Sequence, residues 1–89
     1  MGLVGRAAQH VLNLIEKRVD EEVGYGQRAE LHDYLVEEAF GDVADEFKVS
    51  TCGSLVKARC CAYIAIMAGK INGSLRSGIE HIVGVPARR

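Results

Sequence analysis

Apolar residues recur at helical spacing along most of this chain. Between residues 3 and 19, Val4, Ala8, Val11, Leu12, Ile15 and Val19 fall on one stripe, with Arg6, Gln9, Asn13, Glu16, Lys17 and Asp20 opposite. That pattern predicts an amphipathic helix. Arg18 and Glu22 intrude on the stripe, so its packed part should end near Val19. Gly24, Tyr25 and Gly26 predict a break, because glycine disfavours helix and favours turns. A second helix is expected from about Gln27, its stripe formed by Leu31, Leu35 and Ala39 with Tyr34 and Val36 flanking. Past Ala39 the stripe drifts round the cylinder and Gly41 intervenes, which predicts a kink or break there. Asp42 is a candidate cap for a short helix with Val43, Ala44 and Phe47 on its inner side.

Residues 48–53 are polar and small, with Ser50 and Thr51 as candidate caps. A third long helix is expected from about Ser54 to Lys70. Between residues 60 and 69 it is apolar all round, so it is expected to be the most buried element. Ala58 and Ala62 are four apart, as are Cys61, Ala65 and Gly69. Small residues at that spacing let a second helix backbone approach closely. Asn72 and Gly73 signal a turn, and Leu75, Ile79, Ile82 and Val83 a last helix capped by Ser74, with Gly84 and Pro86 at its end. An alternative places residues 81–85 in a strand, since Ile82, Val83 and Val85 favour β structure. Residues 86–89 form a short basic tail. The expected architecture is therefore all-α: one domain over residues 1–89, a small bundle of about four helices, with helix 2 interrupted near Gly41.

Composition narrows the functional classes. The 89 residues are 48% hydrophobic and 26% charged, which excludes a disordered chain and leaves room for one small core. Five aromatics, no Trp and ten Gly make that core light, and a light core favours a homodimer. The net charge is only -1, but the charges are segregated. Residues 20–47 carry ten acids against Arg28, and residues 48–89 carry seven bases against Glu80. Either the two blocks face each other, within one chain or across a dimer, or one of them recruits an external partner. The acidic face of helix 2, through Glu30, Asp33, Glu37 and Glu38, is the candidate surface for a basic partner. An odd cysteine count with adjacent Cys60 and Cys61 points to a reducing, intracellular (cytoplasmic) compartment. Residues 1–6 lack the basic and apolar regions of a secretory signal, and Arg6 departs from an acylation signal. The apolar run over residues 60–69 is too short for a bilayer span of about 20 residues.

Candidate chemistry is sparse. Cys52, Cys60, Cys61, His10, His32 and His81 are the available soft ligands, but none shows paired zinc-ligand spacing, so no metal and no cofactor is expected. Cys60 and Cys61 point about 100° apart on a helix and read as small hydrophobes. Cys52, among Ser50, Thr51, Gly53 and Ser54, lies near an expected helix start that would lower a thiol pKa, yet capping explains all these residues. The acidic pairs sit on wet faces, unsuited to general acid–base work, and lack calcium-loop spacing. The chain is therefore expected not to be an enzyme. It is expected to act through protein–protein contacts in an adaptor or regulatory role, self-associating through Ala58, Ala62, Ala65, Ile66 and Gly69 on the third helix. The alternative is a nucleic-acid-binding dimer that touches phosphates through Lys57, Arg59, Lys70 and Arg76. Tyr63 is the sole aromatic after Phe47, which argues against base stacking.

Overall fold

The first element, α1, spans Leu3–Glu21. Ala8, Val11, Leu12, Ile15 and Val19 are all buried, and Asp20 and Glu21 are exposed, so its packing ends where the stripe does. On the wet side the Gln9 amide donates to Asn13 Oδ1 at 3.0 Å, one turn away. The structure is a computed structural model and describes residues 3–21 and 25–71. Outside these fall the expected turn at Asn72 and Gly73, the last helix, the strand alternative, Arg76 and the basic tail.

Helix α2 spans Tyr25–Phe40, starting two residues earlier than expected, with Tyr25 and Gly26 inside its first turn. Its buried face is also rotated from the expected stripe. His32, Leu35, Val36, Ala39 and Phe40 are buried, whereas Leu31 is half-buried and Tyr34 is exposed. Periodicity placed the stripe by aliphatic residues alone and so left out His32 and Phe40.

The break expected near Gly41 is present. Gly41 has φ 66°, a left-handed value that a side chain resists, and the chain continues as a 3-10 helix over Gly41–Phe47. In a 3-10 helix residues three apart eclipse one another. Gly41, Ala44 and Phe47 therefore stack on one buried face. The Phe47 ring meets Phe40 edge-on, with centroids 5.3 Å apart, closing this bend over the core. Asp42 does not cap the segment; it lies within the first turn.

A one-turn helix, α3, follows over Val49–Cys52, with Ser50 and Thr51 inside it rather than capping it. Helix α4 spans Leu55–Met67 and is capped by Ser54, whose hydroxyl accepts from the Lys57 N–H at 3.2 Å. It stops three residues before Lys70. The Lys70 N–H donates to the Ala65 carbonyl (2.9 Å) and the Gly69 N–H to that of Ile66 (3.0 Å). This is a Schellman ending, with Gly69 at φ 77° in the position that needs it. Ile71 then folds back into the core.

Helix α1 packs on α2 and α4, while α4 also rests on α3 and the 3-10 segment. Among the described residues every element is helical, with no strand, and three of the elements are long helices.

Candidate functional site

The charge blocks meet inside the chain. Lys48 binds Glu37 and, at 2.9 Å, Asp45. Hydrogen bonds to those two carboxylates, Glu37 first, hold its ammonium pKa above the usual lysine range. Lys70 pairs with Glu46 at 3.0 Å, and Arg59 reaches Asp20 at 3.3 Å and Glu16 at 3.7 Å. Of the four residues considered for phosphate, Arg59 and Lys70 thus already face carboxylates, Lys57 is exposed, and Arg76 lies outside the described residues.

The acidic face divides in the same way. Asp33 turns inward and accepts from the backbone N–H groups of Val49 (2.5 Å) and Ser50 (3.1 Å), capping α3 from a different element. Glu37 is held by Lys48, and Glu30 and Glu38 are exposed to solvent.

The thiol and imidazole groups are poorly set for catalysis. Cys52 donates to the Glu46 carbonyl at 3.4 Å. Desolvation, then a hydrogen bond with Cys61, pushes its pKa up to about 11, so the thiolate is scarce at neutral pH. A helix start was expected to do the opposite. Cys52 instead ends α3, where the dipole is negative. His32 is fully buried, with Nδ1 3.6 Å from Asp33 Oδ1 and neither ring nitrogen hydrogen-bonded. Burial lowers its pKa, against the opposing pull of Asp33, and keeps the ring neutral. Among the described residues no three His, Cys, Asp or Glu side chains gather to hold a metal ion.

Helix α4 departs furthest from expectation. Ala58, Ala62, Ala65 and Ile66 are buried against the core of their own chain, and Gly69 is exposed and ends the helix. The small-residue stripe expected to meet a second chain is therefore occupied by internal packing. The helix is not the most buried element, because its opposite face is apolar too and lies in solvent. Val56 is 70% exposed, Tyr63 52%, Ile64 65% and Met67 63%, with Cys60 exposed between them. Val56, Cys60, Tyr63 and Met67 follow a four-three-four spacing, a seam one helix offers another. That spacing is visible in the sequence, but three of its four members lie in or beside the uniformly apolar run over residues 60–69, where periodicity does not separate an inner from an outer face.

Among the described residues no helix is long and apolar enough to cross a membrane. No protein-family model, no curated protein and no solved structure matches the chain.

Proposed function

We propose that this protein works by protein–protein contact, in an adaptor or regulatory role without chemistry of its own, and that the outer face of α4 is its contact surface. The observation that carries this reading is the exposed apolar seam of Val56, Cys60, Tyr63, Ile64 and Met67. Four large side chains each more than half exposed on one helix face offer on the order of 500 Å² of apolar surface, within the range of about 300–600 Å² for the largest patch of a monomer, which is often functional. The engagement of Arg59 and Lys70 by carboxylates favours this reading over phosphate binding. Three free thiols support a reducing compartment.

A photo-crosslinking amino acid at Ile64, with the exposed Asn13 on α1 as control, tests this in cells. Protein adducts are expected at position 64 and not at position 13. Equal yields at the two positions, or adducts to nucleic acid, would overturn it.

A further inference from the structure

We infer that the occupant of the α4 seam is a second copy of this chain, its α4 running antiparallel across a two-fold axis. The inference rests on the contact-surface reading above and names the partner. A two-fold interface requires one patch to be complementary to itself. With the axis midway between residues 61 and 62, Val56 lies opposite Met67 of the second copy, and Cys60 opposite Tyr63. Each small residue meets a large one at both ends of the seam, as interdigitating layers require.

Charge selects the same direction. Lys57 and Arg59 flank the seam. A parallel pair would set each Lys57 beside Arg59 of the second copy, only two residues out of register on both sides. The antiparallel pair sets the two Lys57 residues about 13 Å apart along the axis, beyond a Debye length of roughly 8–10 Å, and the two Arg59 residues about 7–8 Å apart, each already facing Asp20 and Glu16 of its own chain. No charged side chain lies within the seam itself, so closing it strands no ion. About 500 Å² from each copy gives roughly 1,000 Å² in total, at the lower bound for a specific interface. The dimer is therefore weak and concentration-dependent.

Sedimentation equilibrium of the full chain over micromolar to submillimolar concentrations, with Val56→Lys, Met67→Glu and the double variant, tests both partner and direction. The wild-type chain is expected to pass from monomer to dimer. Each single change should weaken association at least about fivefold. The double variant should recover most of that loss, because Lys at 56 then faces Glu at 67 of the second copy at both ends. Association unmoved by the single changes would overturn the inference, as would a double variant weaker than either single one, the signature of parallel pairing. A wild-type chain that stays monomeric also overturns it, and the rate of alkylation at Cys60 then separates two cases. Modification at the rate of a free peptide thiol leaves the face open to a foreign protein, so the contact-surface reading survives. Strong protection means that the seam is closed within the monomer, and both readings fall.

Discussion

Replacing Asp33 with Ala should loosen the end of the molecule that holds α3, although Asp33 is sixteen residues or more away in sequence from anything it holds there. Helix α3 is one turn long, and a helix so short does not persist without tertiary support. Its own capping position, Lys48, contributes no side-chain capping bond. The unsatisfied N–H groups of Val49 and Ser50 instead donate to the two oxygens of the Asp33 carboxylate, which rises from α2. Loss of an ordinary cap costs about 0.5–2 kcal/mol, and each hydrogen bond to an ionised group contributes about 1.5–3 kcal/mol. Ser50 is exposed, so water replaces part of what is lost there. The expected destabilisation is about 2 kcal/mol for Asp33→Ala. Asp33→Asn keeps one carbonyl acceptor and should lose about half as much. Urea unfolding followed by circular dichroism measures both, and a slope of ~1 kcal/mol/M makes the Ala shift about 2 M in midpoint. Amide exchange at Val49 and Ser50 should accelerate in the same variants. An Asp33→Ala chain within about 0.5 kcal/mol of the parent would refute the cross-element cap.

The core, the buried imidazole and the thiols yield three further tests. Phe47→Ala should cost about 3–5 kcal/mol, enough to leave a chain of this size largely unfolded in a thermal melt, and Phe47→Leu about 1–1.5 kcal/mol. A cooperative Ala variant melting near the parent would contradict the burial of that ring beneath the 3-10 bend. His32 is neutral when folded because burial lowers its pKa, whereas the unfolded imidazole takes a proton near 6.5. The unfolded state then binds more protons below that pH, so stability should fall as pH drops through 6.5. His32→Leu should flatten this slope between pH 7.5 and 5, and an unchanged slope assigns it to another group. Alkylation at pH 8 of a chain dilute enough to be monomeric, mapped by mass spectrometry, should reach exposed Cys60 at least about tenfold faster than Cys52, whose thiol is pushed up to about 11. Equal rates would remove the hydrogen-bonded, partly desolvated state of Cys52.

Local patterns carried much of the fold. The α1 stripe was legible because aliphatic residues repeat there without interruption, and its last buried member is Val19. The break at Gly41 was legible because it depends on one residue's local chemistry, and so was the helix start near Ser54, although Ser50 and Thr51 rather than Ser54 read as its caps. Tertiary acts were not. The rotation of the α2 face depends on a histidine that the fold buries without a hydrogen-bonding partner, which no periodicity reports. Asp33 read as one of four acids on a wet face; its destination became visible only when α3 was laid against it. The pairing of Lys48, Arg59 and Lys70 with carboxylates follows from the segregated charges, but the sequence left open whether those partners lay in the same chain.

Helix α4 explains why a uniformly apolar segment was the least decipherable. Hydrophobicity on every side says that every side wants cover, without saying which side this chain covers. The fold turns the small residues inward, because Ile15, Phe40 and Phe47 already fill the interior and alanine permits α4 to come close. Burying alanine removes little apolar area, whereas burying a valine, isoleucine or methionine contributes about 1.5–3 kcal/mol each. The chain folded alone therefore leaves in water the face of α4 with the most to gain. Ala62→Leu should be strongly destabilising and Ile64→Ala nearly neutral for folding, while Ile64→Ala alone should weaken assembly. A helix used only for its own core would show the two positions failing together.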